Sequence, residues 1–312
     1  MDMTTTSHQT FTARRPEDVL AAVPIVLGFV PEESVVMLTF GAAHPFHARL
    51  DLPLTAAERR AAAAALVEPV CRHGVRRVLF VLYTADKEAA GPCARTLARA
   101  FDRRGIDVVD VLRSDGARWF VVPLDRSARE DPGTPYDVTG HLFTAQAVAA
   151  GRVTRGSRGE LAATLAADAA GAAAVARAMA TAADRPAADA AEVLAVVTGL
   201  VADRRSPDPA TAARILLALR EPRARDAVLG AVDRHTAEAW LAAWSALVRV
   251  APPPVLAPVS SVLAFVAWLA GDGALAWCAL DRASQGDPPC ALAGLVGRAL
   301  EEAVPPATWS HR

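Results

Sequence analysis

The amino-acid sequence predicts an α/β domain with a mixed sheet, followed by an all-α domain. Two observations support this fold class. Runs of β-forming residues alternate with helical patterns up to about residue 124, and no convincing strand follows His141. The chain of 312 residues is also about twice as long as a typical domain. We therefore expect a sheet domain over residues 10–135 and a helical domain over residues 136–312.

The segment before the first strand has the pattern of a short helix that leads into the sheet. Pro16 suits the first helical turn, and the acidic Glu17 and Asp18 favour the positive end of the helix dipole. Pro24 lacks an amide hydrogen, so we expect the helix to break or kink there. Gly28 can then end the helix in the left-handed conformation.

The sheet domain is predicted to run strand, strand, helix, strand, helix, strand, strand. Phe46–Leu52 alternates apolar and polar side chains, as a half-buried strand does. Val78–Leu82 is a continuous apolar run, typical of a strand covered on both faces, and Ser114-Asp115-Gly116 is a hairpin turn signal. The predicted strands cover residues 35–40, 46–52, 75–83, 106–112 and 118–124, and the two helices cover about 56–72 and 87–104.

The second half carries helical signals throughout. Asp208-Pro209 fits a cap followed by a first-turn proline, and Trp240, Trp244 and Leu247 share one helical face. About eight short helices are expected after an exposed linker over residues 125–135. The spacings over residues 259–288 match a single tetratricopeptide-like helix pair, and an ordinary helical hairpin is the alternative explanation.

Charge and hydropathy argue against nucleic-acid and membrane partners. The 33 basic residues nearly cancel the 34 acidic ones, which leaves a net charge of -1. The arginines between Arg204 and Arg234 interleave with acidic residues, which indicates a mixed surface rather than a nucleic-acid-binding stripe. The apolar run Val255–Ala270 is shorter than a bilayer requires and contains Pro258, so we expect a buried helix.

The expected location is the cytoplasm. An export leader is disfavoured because acidic residues directly follow Arg14-Arg15 and Pro16, and because Pro31-Glu32-Glu33-Ser34 replaces a small-residue cleavage site. The cysteines lack C-x-x-C spacing, which predicts buried free thiols rather than a disulfide framework or a metal site. They are Cys71, Cys93, Cys278 and Cys290.

Motifs for catalysis and for cofactor binding are incomplete. Residues 151–157 read GRVTRGS, which has the glycine spacing of a phosphate-binding loop without its lysine. His44 and His47 belong to a hairpin, where their spacing lacks the geometry of a helical metal-binding pair. The nucleophile elbow G-x-S-x-G is absent from the sequence. We therefore expect no cofactor and no metal, and the sequence favours a non-enzymatic protein over an enzyme.

The best candidate for a ligand site lies at the carboxyl end of the central strand. Ligands of open α/β sheets bind beyond the carboxyl ends of parallel strands, which here points to Tyr83, Thr84 and Asp86. Arg49 and Asp51, on the polar face of the second strand, complete the candidate set. Asp86 has an alternative role as the cap of the following helix.

Three stretches together resemble a known family. They are PEDVLAAVPIVLGFVPEESVVML at residues 16–38, ARLDLP at 48–53 and AWLAGDGALAWCALDRASQGDP at 267–288. They are similar to the actinobacterial domain-of-unknown-function family numbered 4192, and VAAGRVTRGSRGEL at 148–161 is a further matching block. The resemblance covers nearly the whole chain. It implies an actinobacterial, cytoplasmic protein and brings no activity or catalytic residues with it.

Two functional hypotheses follow. The first is a non-catalytic interaction or regulatory protein whose helix pairs bind a protein partner, and self-association into a homo-oligomer is compatible with it. The second is a small-molecule-binding or enzymatic α/β domain. Its site would consist of Arg49, Asp51, Tyr83, Thr84 and Asp86.

Overall fold

The structure is a computed structural model that describes residues 2–4, 10–42, 44–125, 131–182 and 188–309, with side chains from Thr12 onward. It divides into two compact units. The first unit comprises residues 1–157 and 301–303, and the second comprises residues 158–300 and 304–312. The linker expected over residues 125–135 lies partly outside the described residues, because residues 126–130 are not among them.

The first unit holds a small hairpin, a larger sheet and four helices among its described residues. The hairpin strands are β1 (Asp2–Thr4) and β2 (Thr10–Thr12). The helices are α1 (Pro16–Leu27), α2 (Ala56–Arg72), α3 (Lys87–Asp102) and α4 (Leu142–Ala149). The strands of the larger sheet are β3 (Ser34–Phe40), β4 (His47–Asp51), β5 (Arg77–Tyr83), β6 (Asp107–Ser114), β7 (Arg118–Val121) and β8 (Thr134–Pro135).

The larger sheet has six strands in the order β4-β3-β5-β6-β7-β8. The β5–β6 pair is parallel and the other pairs are antiparallel, so the prediction of a mixed sheet is confirmed. Because β3 runs against β5 and β6, the start of β3 lies beside their carboxyl ends. One row of paired residues therefore crosses this edge of the sheet: Asp51, Ser34, Tyr83, Ser114 and Trp119.

Helices cover both faces of the sheet. Met37 and Phe80 pack with residues of α2 and α3 in one buried cluster, and Val36 and Leu38 pack with residues of α1 in another. Phe143 of α4 also belongs to the cluster with α1. The first unit therefore continues beyond residue 135, where the sequence predicts the domain boundary, because α4 buries its apolar side chains in the core of the sheet unit.

α1 enters the sheet as one continuous helix that includes Pro24. Of the expected break or kink at this proline, the break is therefore wrong. One backbone hydrogen bond to Leu20 is missing, but Leu20, Val23 and Ile25 are all buried, and their burial stabilises the helical conformation. Gly28 ends the helix with a φ of 75°, as predicted.

The residues after α1 pair with the loop at 151–157. The amide of Val30 donates to the carbonyl of Arg155 over 2.9 Å, and the amide of Arg155 donates to the carbonyl of Gly28 over 2.8 Å. The Arg155 amide is therefore committed to the protein's own backbone. The loop acts as a structural connection within the first unit.

The second unit is helical, as predicted. Its described helices are α5 (Arg158–Ala163), α6 (Ala169–Ala182), α7 (Ala190–Asp203), α8 (Pro209–Ala218), α9 (Pro222–Ala231), α10 (Ala237–Arg249), α11 (Pro253–Leu269), α12 (Gly273–Ala283) and α13 (Ala291–Glu301), with a short 3-10 turn at Pro306–Thr308. Trp240, Trp244 and Leu247 of α10 are buried, which confirms their shared inward face.

α11 is the central helix of the second unit, and every residue from Val255 to Leu269 is buried. α11 and α12 pack against each other across the turn at residues 270–272, and the Asp272 carboxylate caps α12 by accepting from the amide of Leu275 over 2.9 Å. The predicted buried helix is therefore confirmed. No helix in the part of the chain that the structure describes has both the length and the apolar character to cross a membrane.

Candidate functional site

Arg49 and Asp51 meet at the carboxyl edge of β5 as an ion pair on the edge strand β4. The Nε of Arg49 donates to the hydroxyl of Ser34 over 2.9 Å, and one of its terminal nitrogens donates to the Glu32 carbonyl over 3.4 Å. The Arg49 side chain is 18% exposed, whereas that of Asp51 is 88% exposed. The guanidinium is therefore held by the protein, and the carboxylate faces solvent.

Thr84 and Asp86 organise the connection from β5 to α3. The buried Thr84 hydroxyl donates to a Glu33 carboxylate oxygen over 2.8 Å, and the Thr84 hydroxyl oxygen accepts from the Asp86 amide over 3.1 Å. The Asp86 carboxylate accepts from the amides of Glu88 and Ala89 over 2.8 and 3.1 Å. Asp86 therefore takes the alternative role of a helix cap.

Tyr83 packs in the core with residues of α1. Its hydroxyl is buried and has no hydrogen-bond partner among the described residues. Burial, together with nearby Tyr136, raises the pKa of Tyr83 well above its usual value. A phenol in this environment stays neutral, and its ring packs in the apolar core.

Ser114, on the same row of the sheet, forms a hydroxyl pair with Tyr136, which follows β8, with 2.7 Å between their oxygens. Burial raises the pKa of Tyr136, and the charge of Asp115 acts in the same direction while the Ser114 hydrogen bond acts against it. The Ser114 hydroxyl also accepts from the Gly116 amide over 3.1 Å. The pair therefore closes the β6–β7 turn onto the core.

Arg113 is a buried residue at this edge that the sequence analysis did not single out. Its guanidinium lies 3.7 Å from the centre of the Phe120 ring and donates to the carbonyls of Thr84 and Ala85 over 3.2 and 3.5 Å. The sequence does contain a signal for this residue, because Arg113 directly follows the predicted strand at residues 106–112. The side chain occupies space beyond the carboxyl end of β5, where a ligand of an open sheet would lie.

The second unit contains a cavity of about 920 Å³. Small and apolar residues form much of its wall, and charged residues of α8 and α9 also line it. The apolar side chains are Leu217, Pro254, Pro258, Pro288, Pro289 and Ala291. The charged ones are Arg214, Arg220, Glu221 and Arg225, and Ala182, Ala188 and Cys290 complete the lining.

A shallower depression of about 600 Å³ continues from the cavity along α13. The two share Pro289, Cys290 and Ala291. The depression adds Gly294, Leu295 and Arg298, and Leu295 is 57% exposed. We call the cavity and the depression together the arginine groove, because four arginines line it: Arg214, Arg220, Arg225 and Arg298.

The arginines of the groove differ in how they are held. Arg225 donates to the carbonyls of Leu219 and Arg220 over 2.6 and 3.0 Å, so it closes the end of α8. Arg214 forms an ion pair with Glu192 of α7. Arg220 and Arg298 are exposed, and no ion pair joins either of them to an acidic side chain in the described ranges.

The groove could not be predicted from the sequence, in which the arginines around α8 and α9 alternate with acidic residues and indicate a mixed surface. Of the acidic residues that interleave with them in the sequence, Glu221 lines the groove. The others do not, and they are Asp203, Asp208, Asp226 and Asp233. Asp208 and Asp233 instead accept hydrogen bonds from backbone amides at turns. Folding therefore separates most of these acidic residues from the arginines of the groove.

The cysteines are free thiols, but only two are buried. Burial raises the pKa of Cys93 to about 11 and that of Cys278 to about 11, so both stay protonated. Cys71 is exposed and Cys290 is half-buried, so the expectation of four buried thiols is wrong for these two. Cys71 lies near the end of α2, and Cys290 precedes α13, where the groove reaches solvent.

A comparison of the sequence with known protein families identifies the family of this chain. The profile of a domain of unknown function, DUF4192, matches residues 16–307. The chain belongs to the DUF4192 family. Both units of this DUF4192 protein lie largely inside the match, which begins at the first residue of α1. The family resemblance inferred from the sequence is therefore confirmed.

No curated protein and no solved structure matches this DUF4192 chain. The family description names no activity.

Proposed function

We propose that this protein is a non-catalytic interaction protein that binds a segment of a partner polypeptide in the arginine groove. The observation that carries the proposal is the cavity of about 920 Å³ and its continuation along α13. Concave surfaces lined by apolar side chains with a few polar groups are the usual place for a ligand to bind. The extension past the cavity suits an elongated occupant better than a compact one.

The chemistry of the lining supports recognition rather than catalysis. Four of the five charged residues in the groove are arginines, and a guanidinium stays protonated at any physiological pH. It therefore binds anionic or polar groups without exchanging protons with them. The prolines at 254, 258, 288 and 289 form a stiff apolar wall, so little conformational entropy is lost when a segment binds.

The small-molecule hypothesis has less support at the carboxyl edge of β5. Arg49 is held there by Ser34 and Asp51, and Glu33 beside it has a φ of 37°, in the left-handed region. Such a conformation costs free energy and is often found at functional sites. The buried hydroxyl of Tyr83 and the guanidinium of Arg113, however, fill the space at the strand end with protein atoms.

A location in the cytoplasm belongs to the same proposal. All four cysteines are free thiols, and a reducing compartment keeps thiols in this form. Immunoblots of separated cytoplasmic and membrane fractions from the source organism test it. Recovery mainly with the membranes would contradict it.

The docking proposal is tested by filling the groove. Ala291 is exposed at the start of α13 and lines both parts of the groove, so Ala291→Trp places a large ring in the bound segment's path. We expect the full-length variant to retain at most about a tenth of the partner that the natural chain retains from a lysate of its source organism, since hot-spot contacts of this size carry about 2 kcal/mol. Quantitative mass spectrometry of the retained proteins measures the ratio.

Ala210→Trp is the matched control. Ala210 is exposed in the first turn of α8 and does not line the groove, so the control adds the same ring at a similar helical position. Retention should be unchanged in the control. A partner bound equally by Ala291→Trp, including a second copy of the chain, would place the interaction elsewhere and contradict the proposal.

A further inference from the structure

We propose that the segment bound in the arginine groove is acidic, with carboxylates around an apolar anchor residue. This inference rests on the proposed function and names the chemistry of the partner. It follows from the charge of the groove, the helix ends that meet there and the character of its apolar wall.

The groove carries an excess of positive charge in an otherwise neutral protein. Four arginines and one acidic residue, Glu221, line it, whereas the whole chain has a net charge of -1. Glu192 neutralises Arg214, and Arg225 is engaged with backbone carbonyls. Arg220 and Arg298 keep their charges for a ligand, since neither is joined to a described acidic side chain.

Three helices begin at the groove and two end there, α6 at Ala182 and α8 just before Arg220, so the positive helix ends outnumber the negative ones by one. Glu221 precedes α9, Pro254 lies in the first turn of α11, and Ala291 is the first residue of α13. The amino-terminal end of each helix carries a partial positive charge. Pro222 and Pro253 lack amide hydrogens, so the first turns of α9 and α11 offer fewer hydrogen-bond donors, and the arginines supply further ones.

The wall of the groove selects a polypeptide over a nucleic acid. Binding of single strands depends on bases that stack on aromatic side chains. The described lining residues include no aromatic side chain, and the wall consists largely of proline, alanine and leucine. Leu295, exposed between the cavity and Arg298, offers an apolar contact next to a cation. An aliphatic residue flanked by glutamates or aspartates matches both features.

A peptide-binding measurement with the full chain tests the inference. The probe is a fluorescein-labelled glutamate-rich peptide with one central leucine, and the control peptide has glutamine at every glutamate position. We expect the acidic peptide to bind at least about tenfold more tightly at low salt, and the preference to shrink as NaCl rises from about 0.05 M to about 0.5 M. Fluorescence anisotropy reports both affinities.

Charge reversal at the groove locates the binding. Arg220→Glu and Arg298→Glu should each weaken acidic-peptide binding at least about tenfold, because an attraction becomes a repulsion. Arg223→Glu makes the same charge change on an exposed residue of α9 outside the groove lining, and it should change the affinity by less than about twofold. Unchanged thermal unfolding midpoints verify that the variants are folded.

The possible results separate this inference from the docking proposal. Equal binding of the acidic and glutamine peptides, or an equal loss in Arg223→Glu, would overturn the acidic-segment inference. Tighter binding of single-stranded DNA than of the acidic peptide would overturn it in favour of a nucleic acid. Partner retention that Ala291→Trp abolishes would still support docking in the groove in each of these cases.

Discussion

Tyr83 ends the central strand with a hydroxyl that is buried without a hydrogen-bond partner in the described part of the chain. Burying a hydroxyl that makes no hydrogen bond costs free energy, since its bonds to water are lost. The neighbouring Tyr136 hydroxyl, by contrast, is bonded to Ser114 over 2.7 Å. Two tyrosines at the same sheet edge therefore have opposite consequences for stability.

Replacing Tyr83 with phenylalanine tests this difference. We expect Tyr83→Phe to raise the free energy of unfolding by about 1 kcal/mol, because the ring is kept and the unpartnered hydroxyl is removed. Tyr136→Phe, the matched control, should lower it by about 1 kcal/mol through the loss of the Ser114 hydrogen bond. Urea unfolding monitored by near-UV circular dichroism measures both. A destabilised Tyr83→Phe would show that the hydroxyl has a partner in solution.

At the scale of elements, one contact links the beginnings of α1 and α4. Asp18 accepts from the amides of Arg14 and Arg15 over 2.7 and 3.0 Å, and it lies 3.1 Å from Nε2 of His141. Nδ1 of His141 accepts from the Phe143 amide over 3.2 Å, so Nε2 is the nitrogen that donates to the carboxylate. The Asp18–His141 contact thus ties two helix caps together.

The Asp18 contact predicts a pH dependence. Burial alone would raise the pKa of Asp18, but the Arg14 and Arg15 amides, the His141 ring and the Arg15 charge together lower it. A folded-state pKa below the unfolded one means that the carboxylate stabilises the fold above about pH 4, and that this contribution is lost as the pH falls through the folded pKa. Acid unfolding should therefore be steeper than in a chain without this carboxylate.

Asp18→Asn removes that dependence. We expect the variant to lose about 1–2 kcal/mol at pH 7 and to show a shallower loss of stability between about pH 4 and pH 2. Glu17→Gln is the control, because glutamine can still accept from the Trp119 indole that bonds to Glu17 over 3.0 Å. Chemical unfolding at a series of pH values measures, for both variants, how the free energy of unfolding changes with pH. If Asp18→Asn lost stability with falling pH as steeply as the natural chain, the Asp18 carboxylate would not be a source of the acid sensitivity.

The packing of α11 depends on a glycine outside the helix. A Cβ on Gly286 would lie 2.5 Å from the backbone nitrogen of Ala257 in α11, so the chain after α12 can approach α11 only without a side chain. Gly199, inside α7, has nothing within 4 Å of an added Cβ. The two glycines therefore separate the effect of close packing from that of backbone flexibility.

Alanine substitutions at these glycines should act in opposite directions. Gly286→Ala is expected to destabilise the second unit by about 1–3 kcal/mol, because either the turn or α11 must shift. Gly199→Ala should stabilise it by up to about 1 kcal/mol through the higher helix propensity of alanine. Thermal unfolding monitored by circular dichroism compares the two variants. Equal midpoints would mean that the contact between Gly286 and Ala257 is looser than described.

Local sequence signals predicted most of the elements. Asp208 caps α8, Gly28 adopts the left-handed conformation, and the Asp115-Gly116 turn joins β6 to β7. These features depend on residues a few positions apart. The continuity of α1 through Pro24 could not be predicted in the same way, because the packing of α1 on the sheet, which sets its stability, is a long-range property.

At the scale of the whole molecule, the candidate sites also differ in whether nearby residues or long-range packing determine them. The pairing of Arg49 with Asp51 follows from their spacing on one strand face. The arginine groove does not, because Arg220 of the α8–α9 turn and Arg298 of α13 are brought to one surface only by the packing of the second unit. A net charge of -1 conceals this local excess of positive charge.

The sequence by itself determined the family, the mixed sheet, the helical second half and the caps of individual helices. Each of these depends on residue order or on contacts within a few residues. The tertiary structure alone decided which charges are neutralised and which face a cavity. Asp208 and Asp233 accept hydrogen bonds from backbone amides, whereas Arg214, Arg220 and Arg225 line the groove. Long-range packing determines which charges line the groove. The proposed functional surface therefore lies in the helical unit and not at the sheet edge, where the sequence predicts it.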